Sequence, residues 1–208
     1  MIGIIDYLAG NLTSVARALA YLGYKCFISS DVEELKKAER IIFPGVGAAK
    51  SAMKSLKKFY LDEFLKESFF KGVPILGICL GTQIIFEFSE EDGGTKTLGL
   101  LKGKVVKFPQ PLLWKEEVLK VPHMGWNKVN WIKEHPVFKR LDPDYEYYFV
   151  HSYFVIPEDK EVICGMTFYG VNFSSAIAYK NLVAVQFHPE KSGKPGLQIL
   201  KQFCEWNP

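Results

Sequence analysis

Val73-Pro74-Ile75-Leu76-Gly77-Ile78-Cys79-Leu80-Gly81-Thr82-Gln83 places a cysteine between two glycines, where an apolar run gives way to a helix-like one. Val73 to Ile78 reads as a continuous buried strand, and Gly81 to Phe88 as the helix that follows it. A sharp strand-to-helix turn brings backbones together, so its flanking positions must lack a β-carbon, while the apex side chain is pushed out of the sheet. Cys79 would be that apex. It would sit at a helix N-terminus, whose partial positive charge favours thiolate over thiol and whose first N–H groups, here that of Leu80, can donate to a developing oxyanion. The same spacing also suits tight strand–helix packing around an inert buried cysteine, so this segment alone leaves both readings open.

Far downstream, Val183-Ala184-Val185-Gln186-Phe187-His188-Pro189-Glu190 is an apolar strand running into two titratable side chains. In an extended segment residues i and i+2 share a face, so His188 and Glu190 are expected to project together, with Pro189 stopping the ladder. A thiolate nucleophile needs an imidazole to take and return its proton, and a carboxylate to orient that imidazole. His188 and Glu190 have the chemistry for those two roles. Alone, H-P-E also reads as a strand-end histidine beside a solvated glutamate. A cysteine elbow at mid-chain and a late strand ending in H-P-E are hard to obtain together by accident.

Around these segments the first half alternates short β-branched runs with helical stretches, the pattern of parallel strands joined by helices. Ile2 to Asp6 and Tyr24 to Ser29 read as strands, Leu12 to Leu22 as a helix, and Asp31 as the N-cap of a helix through Lys37. Arg40 to Phe43 reads as a buried strand stopped by Pro44 and Gly45, followed by helices to Phe70. Beyond Gly93-Gly94 the period changes. Val105-Val106, Val129 to Trp131, Tyr147 to Val155, Val162 to Phe168, Ser174 to Tyr179 and Val183 to Phe187 read as strands, the later ones separated by turn signals that favour antiparallel neighbours. A helix from Lys194 to Trp206 closes the chain. The expected fold class is a single α/β domain over residues 1–208, a mixed, mostly parallel sheet of flavodoxin-like core flanked by helices, with an antiparallel extension.

Composition narrows the function classes. The net charge of +3 is small, and the lysines are scattered among 23 acidic residues, which argues against nucleic acid as a partner. The N-terminus lacks a basic leader, and the apolar runs are far shorter than the roughly 20 residues that cross a bilayer, so no membrane association and a cytoplasmic location are expected. Cys26, Cys79, Cys164 and Cys204 are widely separated, which suggests neither a metal site nor a disulfide scaffold.

Taken together, the elbow and H-P-E resemble the class I glutamine amidotransferases, over essentially the whole chain from Asp6 to the last helix. In that family the elbow cysteine and the histidine and glutamate of H-P-E form the catalytic triad, which maps onto Cys79, His188 and Glu190. The family's oxyanion loop is a P-G-x-G turn, matched by Pro44-Gly45-Val46-Gly47, where glycines permit a peptide flip that turns an N–H, near Gly47, toward the oxyanion. One branch fits closely, the glutaminase subunits of imidazole glycerol phosphate synthase in histidine biosynthesis. Its signatures resemble Pro122-His123-Met124-Gly125-Trp126-Asn127, Tyr7 to Asn11, Phe149 to Phe154 and His188 to Ser192. Branches serving anthranilate, carbamoyl phosphate or GMP synthesis share the elbow and H-P-E but are not expected to carry P-H-M-G-W-N.

The resemblance implies hydrolysis of glutamine through a Cys79 thioester, with no cofactor and no metal. It implies that Gln83 and the backbone around His151, Ser152 and Tyr153 hold the substrate. It further implies a heterodimer with a (β/α)₈ barrel cyclase subunit, which would receive the ammonia and form imidazole glycerol phosphate and an aminoimidazole carboxamide ribonucleotide. Asn11 and the loop carrying His123, Met124, Trp126 and Asn127 would lie at that interface. Against this stand a cysteine-elbow peptidase or chaperone, disfavoured by H-P-E, and a non-catalytic interaction protein, disfavoured by the intact elbow, turn and triad.

Overall fold

In the computed structural model, which describes residues 1–8, 12–115 and 117–208, the first half builds a parallel sheet by right-sized alternation. The elements are β1 (Ile2–Ile5), α1 (Leu12–Tyr21), β2 (Cys26–Ser29), α2 (Val32–Leu35), β3 (Arg40–Gly45), α3 (Ala49–Lys58), α4 (Leu61–Phe70), β4 (Ile75–Cys79) and α5 (Leu80–Ile84). Parallel pairing sets β1 between β2 and β3, with β4 beyond β3. Side chains alternate across the sheet, so that Ile2, Ile4, Ile42 and Leu76 pack with Val15 and Leu19 of α1, whereas Ile5, Ile41, Phe43 and Ile75 pack with Leu56, Leu61 and Leu65 of α3 and α4. Each fully buried side chain of this size contributes about 1.5–3 kcal/mol. Asp31 caps α2 as its sequence position suggests, accepting the Glu33 N–H at 2.8 Å.

The second half supplies β5 (Phe88–Ser89), β6 (Thr95–Lys96), β7 (Gly103–Lys107), β8 (Leu112–Trp114), β9 (Glu117–Leu119), β10 (His123–Lys128) and β11 (Asn130–Trp131), then β12 (Glu146–His151), β13 (Tyr153–Pro157), β14 (Ile163–Tyr169), β15 (Val171–Tyr179), β16 (Leu182–Val185) and α6 (Gly193–Glu205). The main sheet runs β2-β1-β3-β4-β16-β15-β13-β7-β5-β6, with β14 and β11 branching from β15. β16 is parallel to β4, and the pairs it begins toward β15 and β14 are antiparallel, giving the mixed sheet expected. The decisive register is Val185 opposite Ile78, so the chain leaving the last strand emerges beside Cys79. α6 returns Ile199, Leu200 and Phe203 to the face covered by α1. Among the described residues no helix is long and apolar enough to cross a membrane.

Several expected boundaries shift, each for a local reason. Pro44 and Gly45 do not stop β3 but continue it opposite Ile78 and Cys79. Ile41 donates to the β4 side of the strand, so by alternation Pro44 faces β1, where pairing ends at Ile42 and a missing N–H removes no ladder bond. The helix after the elbow ends at Ile84 rather than Phe88, because Ile84, Ile85 and Phe86 find hydrogen-bond donors outside the helix. Their carbonyls accept instead from Leu98, Leu100 and Gly99. The run from Tyr147 to Val155 breaks at Ser152 into β12, which pairs with β10 in a separate ribbon, and β13, which joins β7 in the main sheet. The segment read as a loop from Pro122 to Asn127 is largely β10 itself. β16 ends at Val185, and His188 precedes a 3₁₀ turn over Pro189–Lys191, so His188 and Glu190 are not brought together by strand alternation.

Candidate active site

Steric demand at the elbow is explicit in the backbone. Cys79 adopts φ 54° and ψ −107°, a region that side-chain-bearing residues avoid unless their surroundings enforce it. A β-carbon on Gly81 would lie 1.9 Å from the Phe43 carbonyl oxygen, and one on Gly77 would lie 3.0 Å from the Ala184 β-carbon. Backbone approach therefore requires glycine at position 81, and position 77 is tightly packed against Ala184 and Gly81. Cys79 is 6% exposed, and Leu80 opens α5, where the first N–H groups have no intrahelical acceptor. Beside it, Gly47 has φ +95° with open space around it, so conformation and not crowding calls for glycine there.

The imidazole reaches the elbow from β16. His188 Nδ1 donates to Glu190 Oε1 at 2.8 Å, with the two side chains only 3% and 2% exposed. The turn that presents them is pinned on three sides. The His188 N–H donates to the Tyr148 carbonyl at 2.9 Å, the Ser192 hydroxyl donates to the His188 carbonyl at 2.6 Å, and the Tyr148 N–H donates back to Ser192 Oγ at 3.0 Å. α6 sits on the same turn so closely that a β-carbon on Gly196 would lie 1.9 Å from the Pro189 carbonyl oxygen. With Nδ1 committed to Glu190, Nε2 is the nitrogen left for the sulfur; it makes no hydrogen bond within conventional limits among the described residues, yet the Cys79 sulfur interacts with the ring. Burial lowers the His188 pKa, but Cys79 and Glu190 outweigh it and raise the imidazole to about 10.

Cys79 opens into a cavity of about 350 Å³ lined by Gly47, Leu80, Gln83, Glu91, Pro122, Val150, His151, Ser152 and Tyr153. Every residue that the sequence suggested for oxyanion or substrate contacts is in this lining, with the side chains of His188 and Glu190 buried beside the sulfur. A family model described as glutamine amidotransferase class-I matches residues 3–206. The chain belongs to this family.

Curated relatives of the amidotransferase include imidazole glycerol phosphate synthase subunit HisH of Sulfurimonas denitrificans, 48% identical over 99% of this chain and 98% of that one. The proteins of the same name from Maridesulfovibrio salexigens (48%, covering 99% and 97%) and Acinetobacter baylyi (44%, covering 99% and 98%) are similar throughout. Among solved structures, a glutamine amidotransferase superposes with a TM-score of 0.75 at 16% identity, covering 98% of each chain. PurLQS from Thermotoga maritima superposes with a TM-score of 0.73 at 16% identity, covering 98% of this chain and 97% of that one. These structures share the amidotransferase's fold.

The residues suggested for a partner surface separate by strand alternation. Met124 and Trp126 are 62% and 55% exposed, whereas His123 is buried and Asn127 half-buried, both on the inner side of β10. Asn11 lies outside the described residues.

Two groups in the amidotransferase's site escaped the sequence reading, and a third, Tyr7, entered it only within the Tyr7 to Asn11 signature. Gln186, fully buried, donates to Cys79 Sγ at 3.7 Å and accepts from Gln83 Nε2 at 3.1 Å. A polar residue inside the apolar run before His188 was its signal. Glu91, a carboxylate in the cavity wall, accepts the Ala49 N–H at 2.6 Å, and burial raises its pKa. Nothing distinguishes it from its acidic neighbours Glu90 and Asp92 in sequence. Tyr7 is fully buried, and burial together with the nearby Cys79 sulfur pushes its phenol well above the ordinary range.

Proposed function

We propose that the amidotransferase is the glutaminase subunit of imidazole glycerol phosphate synthase, with Cys79 as nucleophile, His188 as general base and acid, and Glu190 as the carboxylate that orients it. The observation carrying this reading is the 2.8 Å His188–Glu190 hydrogen bond, buried beside a cysteine held at φ 54° on the cavity floor. The names of the full-length relatives support the branch.

In this mechanism the Cys79 thiolate attacks the side-chain carboxamide carbon of glutamine, and the carbonyl π pair moves to oxygen. The oxyanion is held by the Leu80 N–H and by an N–H of the Gly45 to Gly47 turn once that peptide faces it. Protonated His188 passes its proton to the departing nitrogen, the C–N bond breaks, and ammonia leaves a thioester on Cys79. The neutral imidazole then takes a proton from water, the resulting hydroxide adds to the thioester, and glutamate departs as the thiolate is regenerated. Gln83 and the backbone of His151, Ser152 and Tyr153 hold the amino and carboxylate groups, and Glu91 offers the cavity's negative charge to the substrate ammonium.

Ammonia is useful only if it reaches an acceptor before it escapes into water. The proposed acceptor is a (β/α)₈ cyclase subunit forming a heterodimer with residues 1–208 as one glutaminase domain in the cytoplasm. Leu8, Met124 and Trp126 give the chain exposed apolar side chains with which to dock it. The test is Cys79→Ala in the reconstituted complex. Glutamine-dependent synthesis should vanish while synthesis from ammonium salts persists, and retained glutamine hydrolysis would overturn the nucleophile assignment.

A further inference from the structure

Two buried histidines lie outside the proposed triad, and they face each other across the β10–β12 ribbon, where His123 and His151 are cross-strand partners. His151 Nδ1 lies 2.8 Å from the Tyr153 carbonyl oxygen. A carbonyl only accepts, so Nδ1 carries the hydrogen and, in the neutral ring, Nε2 is bare. His123 Nδ1 lies 3.0 Å from that bare nitrogen and must therefore be the donor, which leaves its own Nε2 as an acceptor. The group facing it, at 3.3 Å, is the Asn127 Nδ2, which also donates to the Phe168 carbonyl at 2.9 Å while Asn127 Oδ1 accepts the Lys128 N–H at 2.8 Å. Each amide and each tautomer in the chain is thus fixed by its neighbours.

Beyond His151 the chain continues into the active site. Gln83 Nε2 donates to the same Tyr153 carbonyl at 3.0 Å and to Gln186 Oε1 at 3.1 Å, and Gln186 Nε2 donates to Cys79 Sγ at 3.7 Å. We propose that His123 and Asn127 are positioning residues for the substrate cavity: through this hydrogen-bond chain they set His151, the Tyr153 carbonyl and the Gln83 amide. Burial holds His123 at about 4 and His151 at about 3, which keeps both rings neutral near pH 7 and so keeps the tautomer pattern intact. His123 is further clamped between Phe149 and Tyr169, with ring centroids 4.8 and 4.0 Å away and planes within 24° and 23° of parallel. The same strand turns Met124 and Trp126 outward, so the outer face of β10 and the cavity wall belong to one mechanical unit.

The inference rests on the glutaminase reading, and its test separates the two. His123→Phe keeps an aromatic ring between Phe149 and Tyr169 but deletes both polar atoms. His123→Asn gives up the ring but restores an N–H donor near the place of Nδ1. In the complex with the cyclase subunit, H123F should raise KM for glutamine about tenfold and leave kcat within about threefold, as expected when a group that orients the binding site is lost. H123N should return KM to within about threefold of the wild type. Asn127→Leu, which breaks the outer end of the chain at a half-buried position, should raise KM about threefold and serves as the readout if H123F does not fold. An unchanged KM in H123F and N127L would overturn the inference, as would equal impairment of H123F and H123N, which would reduce His123 to packing. A wild-type complex that does not hydrolyse glutamine would instead overturn the glutaminase reading itself.

Discussion

The Tyr7 hydroxyl lies against Gly45 so closely that a β-carbon at position 45 would sit 1.7 Å from the phenolic oxygen. That hydroxyl is buried and has no hydrogen-bond partner among the described residues, so it costs free energy while blocking growth at the first glycine of the turn. Gly45→Ala is expected to destabilise by about 1–3 kcal/mol through overpacking. Tyr7→Phe should be neutral to about 1 kcal/mol stabilising, because it removes an unpaired donor. In the double variant the nearest ring atom is 3.1 Å from the new β-carbon, so much of the clash is relieved. Urea titration of the four proteins should give a positive coupling of about 1 kcal/mol or more, and strict additivity would contradict the contact.

His188 predicts an alkaline loss of stability. Its folded value, raised from 6.5 to about 10, means that the native state holds a proton the unfolded chain releases sooner. The contribution is therefore complete below about pH 6.5, shrinks as pH rises, and is gone above about 10. Cys79→Ala removes one of the two groups that raise the ring. In C79A the His188 imidazole, followed by NMR, should therefore titrate at a lower pH than in the wild type, and an unchanged titration would refute the sulfur's influence on His188.

The histidine pair has the opposite sign. His123 and His151, held at about 4 and about 3, remain neutral when folded, whereas unfolded histidines take up protons near 6.5. Stability is intact above that value and is lost as pH falls toward 4 and then 3. Each such ring steepens the acid limb by about 1.4 kcal/mol per pH unit. H123F should make the slope between about pH 5.5 and 4.5 shallower by about one such increment, and an unaltered slope would mean that His123 titrates normally.

Gln186 donates to the sulfur that is proposed to carry the negative charge. Gln186→Leu keeps the approximate volume and removes that N–H. A hydrogen bond to a charged group is worth about 1.5–3 kcal/mol, so glutaminase kcat/KM should drop about 10- to 100-fold, with alkylation of Cys79 by iodoacetamide slowed at pH 7. Wild-type kinetics in both assays would remove Gln186 from the site.

The parallel half of the fold was legible because its information is local. Runs such as Ile41 to Phe43 and Ile75 to Ile78 are buried on both faces and read as continuous apolar strands, and the elbow betrays itself through its flanking glycines, of which Gly81 leaves no room for a β-carbon. Of the ribbon's two strands, β12 lies within the run read as strand from Tyr147, whereas β10 was not legible as strand. Alternation exists in His123, Gly125 and Asn127 against Met124, Trp126 and Lys128, but here the inward residues are polar or small and the outward ones mostly apolar, the inverse of the usual pattern. The early end of α5 depends on the 98–101 segment arriving to satisfy its carbonyls, which is tertiary information. Glu91 carries no sequence mark at all, since its exposure and partner come only from the packing of the start of α3 against it.

The seat of α6 on the Pro189 carbonyl also fixes an order of events during synthesis. A ribosome releases Cys79 long before the residues around Gly196, and the 188–190 turn, although bonded to Tyr148, lacks the support of α6 until that helix has docked. On the proposed triad, a growing polypeptide is therefore a dormant thiol until residues 188–205 have emerged and packed.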